Sequence, residues 1–457
     1  MRSAPQRHPA ALAAAPLLAI LALPAAPAAG QSVEIPPIPI DTFTLANGLH
    51  VIVSPDHSTP LAAVNMWYNV GSAHEPPGRS GFAHLFEHML FEETENLADG
   101  EMDRLVTQAG GIYNGTTNTD RTAYFEVVPS NRVNLALWLH AERMGRLVVS
   151  AENFENQREV VKEERRLRVD NQPYAGAQAT QDTLSQDYAP YRHTVIGSME
   201  DLDAARVEDV RDFHQRHYRP NNAVLAVVGD VTTDQIRAMA QEYFGGIARG
   251  PDPQPLPPFP PMPRVDGERR ADVPDPQAQL PLVYLTFSAP PAAHPDHDAL
   301  AVLAQIFSTG ESSRLQRRLV DEEQAALAVI ANVDRRLGPG SMVFGALPNQ
   351  GVEVERLETL MLEEIGRLQE EGVSEREMEK ARNQLRAQAV AARSTAQSKA
   401  QLLQTFQLFH GSPFEANAAP ARLEAVTAED VRRVARTYLV PTNRTVVVAR
   451  PGGPAGA

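Results

Sequence analysis

Three polar side chains interrupt an apolar segment of the chain, GFAHLFEHMLFE (81–92). His84 and His88 are four residues apart, so on a helix both imidazoles project from one face, as two nitrogen ligands of a tetrahedral zinc ion require. Glu87 lies beside them, where it can act as a general base on a metal-bound water. The alternative is a pair of core histidines and a surface glutamate. On so apolar a helix, unpartnered polar groups would cost about 1–3 kcal/mol each, which favours the site.

A third zinc ligand must come from another segment, because a catalytic zinc usually has three protein ligands and one open position. The segment SAENFENQREVVKEERRLRV (150–169) has the pattern of an amphipathic helix with Ser150 at its N-cap. At 100° per residue, Glu164 falls on the apolar face, between Val160, Val161 and Leu167. A carboxylate there needs a cation, which is either the zinc ion or an arginine from a neighbouring helix.

The elements around these residues alternate between strand-like and helix-like patterns. Runs such as LHVIVSP, LAAVNMWYNVG and NAVLAVVGD have β-rich composition, and stretches such as VNLALWLHAERMGRLV have helical periodicity. The segment 202–228 matches 423–449 without a gap, and 149–155 matches 373–379. The sequence therefore predicts an α+β fold made of two tandem homologous α/β sandwich domains.

The domain boundaries follow from composition. Residues 1–30 resemble a secretory signal peptide, with Arg2 and Arg7 ahead of an Ala/Leu run and small residues at its end. A proline-rich linker at 249–267 separates an N-terminal domain, 35–248, from a C-terminal domain, 268–451. The alternative for the first segment is an uncleaved membrane anchor, but it is short and contains Pro16. We therefore expect an exported, periplasmic protein without a stable membrane anchor.

Charge and cysteine content exclude several classes of function. The 457 residues carry a net charge of −15, which would repel nucleic acid and anionic membrane surfaces. The chain has no cysteine, so disulfides, thiolate metal sites and cysteine nucleophiles are excluded. Any metal must be held by histidines and carboxylates.

HxxEH followed by a helical Glu about 76 residues later resembles the inverted zinc motif of the pitrilysin/insulinase metallopeptidases, or inverzincins. The resemblance extends to GGIYNGTTNTDRTAYFEVV, NQREVVKEERR, HYRPNNAVLAVVGD and the tandem halves, and it is strongest to short two-domain bacterial members related to the mitochondrial processing peptidase. It implies a pitrilysin-like (LuxS/metallopeptidase-like) fold and a Zn²⁺-dependent endopeptidase that cleaves extended or unfolded peptides. His84, His88 and Glu164 would be the zinc ligands, and Glu87 the base.

The same resemblance implies roles for two further residues. Asn114 would lie on an edge strand that pairs with an extended peptide substrate, and its alternative is a turn residue after two glycines. Gln157 occupies a place where many members have Glu. A neutral amide there can hydrogen-bond a zinc ligand but cannot lend it charge.

The C-terminal half departs from the pattern in ways that bear on partners. It has no HxxEH motif, and the repeat match places Gln388 where Glu164 stands. Val320 and Leu327 occupy places where members that act alone or as homodimers have an Arg and a Tyr that stabilise the oxyanion. We therefore expect a homologous sister subunit that supplies Arg and Tyr. The alternative functions are a non-catalytic structural subunit and a peptide-binding subunit of a complex.

Overall fold

The computed structural model describes residues 35–264 and 266–452. About 48% of the chain is helical and about 20% is in strands. The strands form two separate sheets, and helices cover the faces of both. This arrangement confirms the predicted α+β class with two sandwiches.

The first sheet contains β1 (Asp41–Thr44), β2 (His50–Pro55), β3 (Leu61–Tyr68), β4 (Ile112–Thr117), β5 (Thr122–Pro129) and β6 (Ala223–Gly229). Their order across the sheet is β1-β2-β6-β3-β5-β4, and β2 and β6 run parallel while the other neighbours are antiparallel. Strand β4 is last in this order, so its outer side is an edge of the sheet.

The second sheet contains β7 (Arg269–Asp275), β8 (Leu282–Ala289), β9 (Ala326–Val333), β10 (Gly340–Pro348) and β11 (Arg444–Pro451). Its order is β7-β11-β8-β10-β9, and β7 and β11 are parallel. Five strands of the first sheet, β2-β6-β3-β5-β4, follow the same order with the same directions. The repeat seen in the sequence is thus a repeat of structure.

The helices lie between and after these strands. In the first half they are α1 (Phe82–Met89), α2 (Glu101–Gln108), α3 (Val133–Arg146), α4 (Ala151–Arg165), α5 (Ala175–Ser185), α6 (Met199–Ala204), α7 (Val207–His217) and α8 (Thr233–Phe244). In the second half they are α9 (Asp296–Ser308), α10 (Val354–Glu371), α11 (Glu375–Ala391), α12 (Ala396–His410), α13 (Glu415–Ala425) and α14 (Ala428–Tyr438). Ser150 caps α4 as predicted, and Ser374 caps α11 at the matching position of the repeat. Each hydroxyl accepts a hydrogen bond from the backbone N–H of the third helical residue.

Each half supplies one helix to the sheet of the other half. Helix α12 packs on β3 and β6 of the first sheet, and α5 packs on β7, β8 and β11 of the second. Both faces of the first sheet are therefore covered. Along β2, Val51 and Val53 belong to the core on one face, and Ile52 packs with Leu403 of α12 on the other.

The domain boundaries predicted from the sequence are not tested by these packing relations and stay a prediction. Between α8 and β7, the described residues form neither a helix nor a strand. The predicted signal peptide, residues 1–30, lies outside the described residues. Within the described part of the chain, no helix has the length and apolar character needed to cross a bilayer.

Candidate metal centre

The helix that carries the HxxEH motif begins at a fixed point. Gly81 has φ +93°, and a Cβ there would lie 2.7 Å from the carbonyl oxygen of Ile196, so this position requires glycine. The buried carboxylate of Glu75 accepts hydrogen bonds from the backbone N–H groups of Gly81 (3.0 Å) and Ala83 (2.7 Å). Burial raises the pKa of Glu75 to about 8. These contacts determine where α1 starts and thus which way its side chains point.

His84, His88 and Glu164 converge in the structure although two helices supply them. The Oε2 atom of Glu164 lies 3.1 Å from Nε2 of His88 and 3.7 Å from Nε2 of His84. One ligand atom from each residue lies within 4.8 Å of those of the other two, and the described residues contain no other such group of His, Asp or Glu. The structure thus brings together the three residues that the sequence singled out as zinc ligands, and their role as ligands stays a prediction.

The donor set fits zinc. Two imidazole nitrogens and one carboxylate oxygen are typical ligands of a catalytic Zn²⁺, and they leave a fourth position open. Burial, reinforced by the neighbouring His88, lowers the pKa of His84 to about 4. His84 is therefore neutral near pH 7, and the neutral imidazole is the form that binds a metal.

Gln157 contacts His88 on the side away from Glu164. Its Oε1 atom lies 3.3 Å from Nδ1 of His88, and its Nε2 atom donates to Glu92 at 2.5 Å. Because the amide donates to Glu92, its oxygen faces His88, which places the imidazole proton on Nδ1 and leaves Nε2 free to bind a metal. Glu92 was not among the residues predicted from the sequence, although its spacing of four residues from His88 was a signal.

Glu164 has two different partners, one for each carboxylate oxygen. Oε2 faces the histidines, and Oε1 lies 2.8 Å from Nη1 of Arg168, which is one turn later on the same helical run. A zinc ion and an arginine from a neighbouring helix were the alternative partners predicted for Glu164 from the sequence, whereas the arginine in the structure is on the same helical run.

The apolar face predicted around Glu164 is partly wrong. Val161 is fully buried, but Val160 and Leu167 are 42% and 57% exposed. Both line the cavity at the metal centre instead of joining the core. The periodicity identified one side of the helix correctly, but it could not show that an open cavity lies on that side.

A cavity of about 850 Å³ lies over the candidate metal centre. One wall is strand β4, where Asn114 is exposed and lies within the strand instead of in a turn. Gly115 follows it, and a Cβ at this position would lie 3.0 Å from Cγ of Glu87 and from the ring of Phe91. The edge strand and the motif helix can approach this closely because position 115 is glycine.

Glu87 lines the same cavity and lies close to this strand at Gly115. Burial raises the pKa of its carboxyl above the usual value, while a hydrogen bond from Thr117 acts in the opposite direction. A carboxylate with a raised pKa accepts a proton from water more readily than an exposed one does, which suits a general base.

The second half carries amides where the first half carries ligands. Helices α9 and α11 pack together as α1 and α4 do. At their contact, Nε2 of Gln388 donates to Oε1 of Gln305 at 3.4 Å. Leu327 is 54% exposed on edge strand β9, and Val320 packs against the core of the second half. Neither side chain can donate a hydrogen bond.

Two family models match the chain in tandem. Residues 50–192 match "Insulinase (Peptidase family M16)", and residues 204–385 match "Peptidase M16 inactive domain". The description of the second agrees with a C-terminal half whose α9–α11 contact has Gln305 and Gln388 in place of ligands.

Relatives and solved structures cover most of the chain. The zinc protease PqqE of Helicobacter pylori is 30% identical over 413 residues, which are 90% of this chain and 93% of that protein. A probable mitochondrial-processing peptidase subunit beta of Arabidopsis thaliana is 24% identical over 87% of this chain and 75% of its own length. The crystal structure of a protease from Helicobacter pylori superposes with a TM-score of 0.85 at 30% identity, covering 91% of this chain and all of that one. The chain therefore belongs to the insulinase family of peptidases, family M16.

Proposed function

We propose that the protein is a zinc-dependent endopeptidase whose metal is held by His84, His88 and Glu164. The observation that carries the proposal is the convergence of two Nε2 atoms and one carboxylate oxygen beside the half-buried Glu87. The name of the Helicobacter pylori relative, a zinc protease, supports the choice of metal.

The chemistry divides between the metal and Glu87. A zinc ion at these ligands would act as a Lewis acid that polarises the scissile carbonyl and lowers the pKa of water. The Glu87 carboxylate accepts the proton of the attacking water and then donates it to the leaving amine. Its burial raises its pKa above that of an exposed glutamate, which suits a group that first accepts and then donates a proton.

The substrate class follows from the exposed edge of the first sheet. Strand β4 has an open outer side and forms one wall of the cavity at the metal centre. An extended peptide can pair with such an edge through backbone hydrogen bonds, and Asn114 is exposed where it can contact the peptide. We expect unfolded or extended segments to be cleaved. The backbone groups of a segment inside a folded domain are already hydrogen-bonded, so such a segment is not free to pair with β4.

The apolar side chains of Val320 and Leu327 suggest that a second polypeptide completes the active site. Neither can stabilise a developing oxyanion, so a homologous sister subunit with Arg and Tyr at these places would supply the charge. The Arabidopsis relative is named as a subunit of a processing peptidase, which supports a heterodimer. The signal-like segment 1–30 supports an exported, periplasmic site of action.

The test is cleavage of a library of unfolded peptides by the wild type and by Glu87→Gln, each alone and with the candidate sister subunit, with zinc content measured in parallel. Cleavage by the wild type with the sister, and a loss of at least about 100-fold in Glu87→Gln with zinc retained, is the expected result. Full activity of the wild type alone would contradict the sister subunit. Zinc binding without cleavage, even with the sister, would favour a structural or peptide-binding subunit.

A further inference from the structure

A second cavity lies within the C-terminal half, apart from the candidate metal centre. It has a volume of about 180 Å³ and lies between helices α11, α12 and α13 and the start of α9; we call it the C-half cavity. Much of its wall is apolar and includes Leu385, Leu402, Phe406 and Phe409. An apolar cavity of about 150 Å³ in another protein holds benzene, so the C-half cavity has room for an apolar group of about six carbon atoms.

The wall also contains a buried guanidinium without a counter-ion. Arg393 is 9% exposed, and its Nη1 and Nη2 atoms donate to the carbonyl oxygens of Ala389 and Ala416 at 2.8 and 2.6 Å. Its Nε atom is buried and has no hydrogen-bond partner in the described part of the chain. No carboxylate of the described residues lies within ion-pair distance of Arg393. A buried charge in this state is costly unless an anion neutralises it.

A second arginine, Arg335, lines the same cavity and, unlike Arg393, is exposed. Among the described residues, Arg335 forms neither an ion pair nor a side-chain hydrogen bond. Its side chain is exposed, and desolvation by the surrounding protein lowers its pKa. Asp298 is the acidic residue of the wall, and it is already paired with Arg422, whose Nε lies 3.2 Å away. Positive charge therefore exceeds negative charge around the cavity.

We propose that the C-half cavity binds a small monocarboxylate with an apolar body of about six carbon atoms. The carboxylate would face the exposed guanidinium of Arg335 and lie near the guanidinium of Arg393, and the apolar body would pack on Phe406 and Phe409. A short-chain fatty acid and the apolar C-terminal residue of a peptide offer this same chemistry. The proposal is independent of the peptidase activity, because none of these residues belongs to the candidate metal centre.

The test is calorimetric titration of the full-length, zinc-loaded protein with hexanoate, hexan-1-ol and inorganic phosphate. Hexanoate is expected to bind once per chain, and hexan-1-ol and phosphate at least about tenfold more weakly. Arg335→Gln should weaken hexanoate binding at least about tenfold, since Arg335 makes no contact that folding needs. Ala389→Phe, which fills the cavity, should abolish binding. Arg376→Gln, an exposed arginine of α11, is the matched control and should bind hexanoate as the wild type does.

Two outcomes would overturn the proposal. One is equal binding of hexanoate and hexan-1-ol, or hexanoate binding that neither Arg335→Gln nor Ala389→Phe changes. The other is loss of binding in His84→Ala, because the carboxylate would then lie at the candidate metal centre. Titration with N-acetyl-leucine distinguishes a short-chain fatty acid from the C-terminal residue of a peptide as the source of the carboxylate. Tighter binding than hexanoate would indicate a peptide terminus, and weaker binding a fatty acid.

Discussion

Gln157 and Glu92 together replace the single carboxylate that many family members have at the position of Gln157. The amide of Gln157 hydrogen-bonds His88, and Glu92 holds the amide in the orientation that makes Nε2 of His88 the free nitrogen. The negative charge that Gln157 lacks is thus present one contact further from the metal. The sequence therefore does not by itself imply a weakened metal site.

Replacing Glu92 with Gln should weaken zinc binding. Without the carboxylate, the Gln157 amide can rotate and present its N–H₂ group to His88. Replacing a residue that supports a metal ligand typically lowers metal affinity about 10–100-fold. Because Glu92 acts through Gln157, we expect zinc affinity to fall about tenfold. Competition with a fluorescent chelator measures it. The control is Glu95→Gln, an exposed neighbour with the same charge change, and equal affinity in the two variants would refute this role for Glu92.

Gly115→Ala should reduce turnover while zinc stays bound. The added methyl group would lie 3.0 Å from Glu87 and Phe91, so one of these side chains or strand β4 has to move. A displaced base lowers kcat by about 10²-fold, whereas the three zinc ligands are untouched. Gly246→Ala, where the added methyl meets nothing within 4 Å, is the control. A variant with normal kcat would show that the close approach has no catalytic role.

The β4–β5 hairpin is attached to the other half of the molecule at its turn. Asp120, 2% exposed, accepts hydrogen bonds from the hydroxyl of Tyr191 at 2.7 Å and from the backbone of Leu337 at 2.9 Å. The Tyr191 oxygen in turn accepts from the N–H of Gly338 at 2.8 Å. Leu337 and Gly338 lie in the turn between β9 and β10. The two edge hairpins are therefore joined through buried polar contacts.

Tyr191→Phe should destabilise the fold by about 1–3 kcal/mol, because it leaves Oδ1 of Asp120 and the Gly338 N–H without a buried partner. Urea unfolding measures the free energy. Tyr113→Phe removes a hydroxyl that contacts Asp103 at an exposed position, so it should cost less than about 0.5 kcal/mol. Equal effects of the two substitutions would mean that the joined hairpins add no stability.

The sequence predicted helices α1 and α4 and the contact between them, because helical periodicity and spacing determine which side chains share a face. It did not reveal Gly115 or Asp120. Their importance depends on which segments approach from elsewhere in the chain, and local patterns do not contain that information. A glycine inside a strand pattern was still a usable sign of close approach.

The exchange of helices ties the two halves into one folding unit. Gln404 of α12 donates to the carbonyl oxygens of Asn65 and Val224 at 3.1 and 2.9 Å, and Asn417 exchanges two hydrogen bonds with the backbone of Ile38. The sequence repeat predicted two similar sheets, and this is confirmed. The periodicity of α5 and α12 predicts an apolar face but not which sheet it covers.

Residues 35–248 alone should therefore fail to fold. The fragment lacks α12, so the buried face of the first sheet around Ala63 and Ala226 would be open to water. Circular dichroism and gel filtration should show an aggregated or unfolded fragment, while 35–452 gives a cooperative unfolding transition. A monomeric fragment with its own cooperative transition would show that the exchanged helix is dispensable.

The claim on which the account depends is a single zinc site in the first half, with Glu164 as a ligand. Metal analysis of the purified protein and of His84→Gln, His88→Gln and Glu164→Gln tests it, with Glu163→Gln as the adjacent, exposed control. The wild type and Glu163→Gln should bind one zinc per chain. The three ligand variants should bind zinc more than about 100-fold more weakly. Replacing a residue that only contacts a ligand already lowers metal affinity about 10–100-fold, and replacing a ligand should cost more. Unchanged zinc affinity in Glu164→Gln would contradict the account.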